Sequence, residues 1–242
     1  MKRKALLIAL LALSVPSPAA TNLIFDSSLG GVSGSGLGAV ATVLTITSPG
    51  ATSTQSGSVS FNGTTDVISN VGVHAVLGTV NFGTSQTGSA QTQTRTFGEV
   101  GITSAGELAI VLNASEPGGN AITLTGLELD IFSGATSIFD AAIVAPVSLP
   151  ATFTGTGNQG FVFRLDADQA AELNAALGVL TAPEVSALRL GLSASAADAT
   201  GGLETFNVSR IATPAVPEPS TLLLLGTALV ACAGWSYMRR RR

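Results

Sequence analysis

The chain of 242 residues contains few of the side chains that most enzymes use for chemistry. It has one histidine, His74, and one cysteine, Cys232, and only 11% of its residues are charged. The cysteine lies in an apolar run near the C-terminus, and the many serines lack the context of a nucleophile elbow. A nucleophile paired with an imidazole therefore has little support, and we expect a protein without enzymatic activity.

Lysine is absent between residues 21 and 216, where four arginines stand against fourteen acidic residues. Affinity for DNA or RNA comes largely from basic side chains that neutralise phosphates. A segment with so few basic and so many acidic residues cannot neutralise phosphates in this way. Nucleic acid is therefore excluded as a partner.

Glycine is abundant, with 28 residues, and it is accompanied by many serines, threonines and aliphatic side chains. The mean hydropathy of +0.48 is too high for a disordered chain. Glycine and β-branched residues are in turn too frequent for a helical bundle. The composition therefore predicts an all-β fold.

Residues 1–20 have the three-part layout of a secretory signal peptide. A basic start precedes nine uninterrupted apolar residues, 5–13, which are too few to cross a bilayer as a helix. The small residues that follow fit cleavage after Ala19, with Ala20 as an alternative one residue later. We expect signal peptidase to remove this segment from an exported chain.

A second apolar run, residues 221–238, carries no charge, and at about 1.5 Å per residue it is just long enough to span a bilayer. Trp235 and Tyr237 stand near its end, where interfacial aromatic residues are expected. We therefore predict one transmembrane helix. A cluster of basic residues that is costly to transfer then remains on the cytoplasmic side and stops transfer. This cluster consists of Arg239, Arg240, Arg241 and Arg242.

The linker before this run, residues 212–220, contains Pro217, Glu218 and Pro219. The prolines fix φ and lack an N–H group, so the stretch stays extended. The Pro-Glu-Pro triplet, the leucine-rich run and the terminal arginines, in this order, resemble the PEP-CTERM sorting tail of Gram-negative bacterial surface proteins, a tail also labelled the ice-binding protein C-terminal domain. The resemblance implies that exosortase, a membrane transpeptidase, recognises the triplet and that the helix and arginines are discarded afterwards. The alternative is a stiff spacer before a permanent anchor.

Between residues 21 and 211 apolar and polar side chains alternate with a period of two, interrupted by glycine-rich turns. Leu108, Ile110 and Leu112 share one face of a strand, and in the next strand the alternation slips at Gly126, which predicts a β-bulge. Many short strands at near-regular spacing predict a single β-sandwich or jelly-roll-like ectodomain. Further strands are predicted at 21–25, 40–47, 57–61, 76–82, 92–97, 138–144, 151–156, 161–165, 188–194 and 204–211.

One short helix is predicted within this body. Asp166 is its expected N-cap, with Gln169 three residues later, and Gly178 is its expected end. We expect the helix to lie across one open end of the sandwich. Its apolar stripe consists of Ala170, Leu173 and Leu177.

Two pairs of carboxylates stand out in the body. Glu128 and Asp130 are expected to share a strand face, and Asp166 and Asp168 to lie at the helix start. Such pairs bind Ca²⁺ or act as acid and base in glycosidases. Neither pair has the spacing of a calcium motif, and all ten aromatic residues of the body are Phe, whereas sugar-binding surfaces usually use Trp or Tyr. We expect a solvated strand face and a helix cap, with no metal, cofactor or catalytic residue.

Two further features have ordinary structural explanations. His74 is flanked by apolar residues and is expected to be a strand residue whose side chain is satisfied. Threonines recur at alternate positions, such as Thr45 with Thr47 and Thr92 with Thr94. An ice-binding surface would need this spacing to repeat in register over many coils, and no such repeat exists. We expect these threonines at solvent-facing strand positions.

Together these features predict an exported structural protein of the bacterial cell surface or extracellular matrix, associated with biofilm or exopolysaccharide. Its expected partners are signal peptidase, exosortase and a polysaccharide matrix. It is expected to pass through the inner membrane as a single-pass intermediate before reaching the surface. The alternatives are a permanently membrane-anchored hydrolase and a Ca²⁺-dependent binding module.

Removal of both ends would leave a mature chain without Trp, Tyr or Lys, because Trp235, Tyr237 and both lysines lie in the removed segments. We predict that released protein barely absorbs at 280 nm and reacts with amine reagents only at its N-terminus. Absorption spectroscopy and mass spectrometry of the labelled protein measure both properties. Tryptophan or tyrosine fluorescence from released material would show that the tail persists.

Overall fold

A computed structural model describes residues 22–29, 32–33, 41–48, 53–82, 86–88, 91–114, 120–150, 159–200 and 203–211. All of these belong to one unit, Met1–Ile211, and residues 212–242 form a second unit outside the described ranges. The predicted signal peptide, the predicted strand at 151–156 and the whole tail also lie outside the described residues.

The described residues form sixteen β-strands and three α-helices. The helices are α1 Phe97–Val100, α2 Ala167–Leu177 and α3 Ala182–Ala187. The strands are β1 Leu23–Phe25, β2 Val32–Ser33, β3 Ala41–Thr47, β4 Gln55–Phe61, β5 Asp66–Ser69, β6 Gly72–His74, β7 Gly78–Val80, β8 Gln86–Thr87, β9 Arg95–Thr96, β10 Leu108–Ala114, β11 Ile122–Ser133, β12 Thr136–Ala142, β13 Val147–Leu149, β14 Gln159–Leu165, β15 Arg189–Ala197 and β16 Glu204–Arg210.

These strands pair antiparallel in two seven-stranded sheets and one hairpin. Sheet A has the order β12-β11-β15-β4-β5, with β13 also paired to β11 and β9 to β15. Sheet B has the order β1-β14-β10-β16-β3-β8, with β2 also paired to β14. The hairpin consists of β6 and β7. The all-β prediction is therefore confirmed.

The two sheets share one hydrophobic core, which is built from the alternating apolar residues that define the strands. Ile110 and Leu112 of β10 are buried, and they belong to the same cluster as Leu129 of β11 and Leu192 of β15. Each strand alternates between its two faces, so its core-facing row is apolar while the other row points away from this core.

The predicted helix is α2, and its cap is as expected. The Asp166 carboxylate accepts a hydrogen bond from the backbone N–H of Gln169 at 2.8 Å, and Leu173 and Leu177 are buried. The helix contacts β12 of sheet A and β14 of sheet B, so it packs against both sheets. The helices α1 and α3 are additional to the prediction.

The β-bulge predicted at Gly126 is present in β11. Leu124 pairs with Ala196 and Gly126 pairs with Ser195, which leaves Thr125 as the extra residue. The β6–β7 hairpin crosses sheet A here, with the N–H of Ala75 donating to the carbonyl oxygen of Thr125 at 2.9 Å. A Cβ atom at Gly126 would overlap the backbone of the hairpin, so this crossing requires glycine.

Several predicted strands have different ends. The predicted strand 76–82 is wrong at its start, because Val76 and Leu77 form the exposed turn of the β6–β7 hairpin. The predicted strand 92–97 is present only as β9, since Phe97 begins α1 behind a Thr96 cap. Strand β12 ends at Ala142, two residues before the predicted end.

We predict that Gly126→Ala lowers the free energy of unfolding by about 1–3 kcal/mol, because the added methyl group forces the hairpin away from sheet A. Urea denaturation followed by far-UV circular dichroism measures the change. Gly178→Ala is the matched control, because Gly178 has a helical φ of −65° that alanine also adopts, and we expect little loss of stability. Equal stability of Gly126→Ala and the unsubstituted protein would contradict the described packing.

Candidate functional site

The residues that the sequence singles out for sorting lie outside the described ranges. They are Ala19, Ala20, Pro217, Glu218, Pro219, Arg239, Arg240, Arg241 and Arg242, and they stay predictions with respect to structure. The predicted span 221–238 is also outside. Within the described part of the chain, no helix combines the length and the apolar character needed to cross a membrane.

Within the body, Glu128 and Asp130 lie on the outer face of sheet A, as their spacing predicts. The register places Glu128 beside Ser193 of β15, and Ser193 beside Ser58 of β4. One step along the strands, Asp130 lies between Gly191 of β15 and Asp140 of β12. The structure therefore adds a third carboxylate, Asp140, which the sequence analysis did not identify.

Glu128 and Asp130 border a trough of about 220 Å³ between the sheet and the β6–β7 hairpin, and Asp140 lies beside Asp130. We call it the outer trough. Its polar lining consists of Ser58, Ser60, Thr79, Glu128, Asp130 and Ser193. Its wall on the hairpin side is formed by Val71, Gly72 and Val73.

The surroundings of Glu128 and Asp130 favour the protonated form of both side chains. Burial raises the pKa of Glu128 above its ordinary value, and the neighbouring charges of Asp130 and Asp140 raise it further. Burial and the charge of Asp140 also raise the pKa of Asp130, while a hydrogen bond from Ser137 opposes the shift. The three side chains thus repel one another when they are ionised.

The arginine on the same outer face of β15 is engaged elsewhere. The guanidinium of Arg189 lies 4.4 Å from the centre of the Phe61 ring and donates a hydrogen bond to Thr94 Oγ1 at 2.9 Å. Among the described residues, no group of three or more His, Cys, Asp or Glu side chains is arranged to hold a metal ion. The outer trough therefore combines hydroxyl groups and carboxylates without a defined ligand position.

His74 lies at the end of β6, next to the exposed hairpin turn. Its Nδ1 accepts hydrogen bonds from the backbone N–H groups of Val76 at 3.1 Å and Leu77 at 3.2 Å. The imidazole therefore holds the turn, in agreement with the structural role expected from the sequence. Asp168, in the first turn of α2, likewise lies where a helix favours negative charge.

Three of the four alternating threonines named above are not at solvent-facing positions, and Thr47 is partly buried. Thr45, Thr92 and Thr94 are all buried. The hydroxyl of Thr92 accepts a hydrogen bond from the N–H of Thr45 at 3.1 Å, and that of Thr94 donates to Asp66 at 2.5 Å. The prediction that these threonines face solvent is wrong. Their hydrogen bonds connect the segment before α1 to β3 of sheet B and to β5 of sheet A.

The four arginines of the body each make an intramolecular contact. Arg164 pairs with Asp26 at 3.2 Å and Arg210 pairs with Glu107, while Arg95 donates to the carbonyl oxygen of Thr42 at 2.9 Å. Arg189 binds Thr94 as described above. The basic side chains of this acidic body therefore support its fold.

Comparison with protein families identifies one feature of the chain. The model of the PEP-CTERM protein-sorting motif matches residues 215–242, which include the Pro-Glu-Pro triplet and the terminal arginines. Comparisons with the curated proteins and with the solved structures give no match. The C-terminal tail thus carries a sorting motif that implies an exported protein, anchored in the membrane while exosortase sorts it.

We predict that Asp140→Asn raises the free energy of unfolding at pH 7 by about 0.2–1 kcal/mol, because it removes a like charge opposite Asp130. In the unsubstituted protein the raised pKa values of Glu128 and Asp130 mean that folding takes up protons. This contribution to stability is full at low pH and is lost as pH rises through those pKa values. Urea denaturation of both proteins at several pH values measures it.

Glu172→Gln is the control for Asp140→Asn, because it removes the same charge from an exposed position in the middle of α2 and keeps an acceptor for Gln169. The control lowers the net negative charge by the same amount as Asp140→Asn, but it leaves the repulsion between Asp130 and Asp140 unchanged. A gain in stability of the same size in both variants would contradict the local explanation.

Proposed function

We propose that this protein is a structural component of the bacterial cell surface or extracellular matrix, without enzymatic activity, that exosortase sorts through its C-terminal tail. The sorting motif at residues 215–242 is the observation that carries the proposal. The triplet Pro217, Glu218 and Pro219 is the proposed recognition element.

The proposal includes a definite arrangement of the precursor at the inner membrane. Residues 1–20 act as a signal peptide that is cleaved after Ala19 or Ala20. Residues 221–238 form the transmembrane helix, and the four terminal arginines stay in the cytoplasm. The body is then exported, and processing in the linker 212–220 releases it to the cell surface or matrix.

The composition of the body supports a structural role in the matrix. His74, its single imidazole, is engaged by backbone N–H groups of the hairpin turn. Its arginines are engaged within the fold, and its outer face on sheet A presents hydroxyl and carboxylate groups at the outer trough. A polar face of this kind is suited to a hydrated polysaccharide matrix, which is the partner that we propose.

A second candidate function rests on the carboxylates of the outer trough. Glu128 and Asp130 share a partly enclosed surface and both have raised pKa values, a property common at functional sites. A permanently anchored hydrolase or a Ca²⁺-dependent binding module would use them. Their arrangement with Asp140 offers no metal cage among the described residues, so we place this candidate second.

We predict that the mature protein lacks the residues beyond about Val216 in a strain with the sorting enzyme and keeps them in a strain without it. Mass spectrometry of the purified protein from both strains measures the difference. Replacing Pro217 and Pro219 by alanine should leave the tail intact in both strains, since the recognition element is lost. Pro214→Ala is the control, because it removes a proline of the same linker outside the triplet.

An intact tail in both strains would disprove sorting by exosortase and favour the permanently anchored alternatives. Processing that is equally efficient with and without the triplet prolines would instead assign recognition to another part of the tail.

A further inference from the structure

The last strand of the body, β16, occupies an internal position in sheet B. It pairs along its length with β10 on one side, where Leu108 faces Arg210 and Asn113 faces Thr205. On the other side it pairs with β3, from Glu204–Ile46 to Val208–Ala41. The strand that comes last in the sequence therefore lies between two strands made earlier, and β3 precedes it by about 160 residues.

Removal of β16 would divide sheet B. In the strand order of this sheet, β3 has only β16 and the two-residue strand β8 as neighbours. Without β16, the strands β3 and β8 are separated from β1, β14 and β10, and the backbone groups of β3 and β10 that face β16 lose their partners. Two open strand edges with unpaired N–H and C=O groups then flank an uncovered part of the core, so a sheet of this kind is unstable.

The side chains of β16 also complete the core between the sheets. Phe206 and Val208 are buried in the common hydrophobic cluster, and the cross-strand partner of Phe206 is Leu44 of β3. Phe206 is among the largest fully buried side chains of the body. Its absence would leave a cavity beside Leu44, and loss of a core phenylalanine is among the most destabilising changes known in proteins.

The end of β16 is fastened to the start of β10. The Arg210 guanidinium pairs with the Glu107 carboxylate, and the N–H of Ile211 donates to the Glu107 carbonyl oxygen at 2.8 Å. Hydrogen bonds from Thr103 and Arg210 lower the pKa of Glu107 to about 2, so the carboxylate is charged in ordinary media. The folded body is thus secured at Ile211, and five residues separate Ile211 from the Pro-Glu-Pro triplet.

We propose that the body completes its fold only when β16 has crossed the membrane, so that sheet B stays open during most of export and closes as the sorting tail arrives. Nine linker residues separate Ile211 from the apolar run, a distance of about 30 Å at most when extended. Strand β16 therefore becomes available just as the anchoring segment reaches the bilayer. The coupling to export rests on the proposed function, whereas the dependence of the fold on β16 does not.

The dependence on β16 can be tested on nascent chains in a cell-free system without membranes. The chain is translated from Met1 through Ile211, followed by a spacer and a translational arrest peptide, whose release reports the pulling force of folding. With a short spacer β16 is still inside the ribosome while β15 has emerged, and with a long spacer β16 is outside. We expect release of the arrest only with the long spacer.

Phe206→Asp in β16 should abolish the force at the long spacer, because the charge cannot be buried at this position. Val67→Asp is the matched control, since it places the same charge on a strand residue that is 45% exposed, and it should preserve the force. Force at the short spacer would overturn the proposal, as would unchanged force for Phe206→Asp. These outcomes are independent of tail processing, so a failure here is distinct from a failure of sorting by exosortase.

Discussion

Burial of one alternating row of aliphatic side chains from each long strand is the interaction on which the rest of the body depends. Leu127, Leu129 and Ile131 of β11 are fully buried, as are Leu190 and Leu192 of β15. At roughly 25 cal/mol per Å² of apolar surface, such rows supply most of the favourable free energy of folding. Once the inward row is fixed, the outward row is fixed too, and this places Glu128 and Asp130 together on the outer face.

Features that depend on neighbouring residues could be predicted from the sequence. The cap of α2 at Asp166 and the bulge at Gly126 both leave a pattern within a few residues. The capping box of Thr96 and Glu99 leaves a similar pattern, but the alternating threonines around it favour a strand, and the sequence therefore does not predict α1. Local signals therefore fail where two of them compete for the same segment.

Features that depend on strand partners could not be predicted. Asp140 faces Asp130 because the β11–β12 register shifts between Ile131 and Phe132, leaving Ile138 without a direct partner. Without that shift, Phe139 would point outward and Asp140 toward the core. The shifted register buries Phe139 opposite Ile131 and places Asp140 opposite Asp130, and the pattern of residues along one strand does not show this pairing.

The body and the tail carry net charges of opposite sign. In the body, Arg164 and Arg210 neutralise Asp26 and Glu107 within the fold, and the remaining acidic residues outnumber the bases. In the tail, four arginines follow an apolar run with no opposing charge. An acidic surface is repelled by anionic lipid headgroups, whereas a terminal basic cluster is attracted to them on the cytoplasmic side. Under the proposed topology, these charges favour a body that leaves the membrane surface and a tail that stays there.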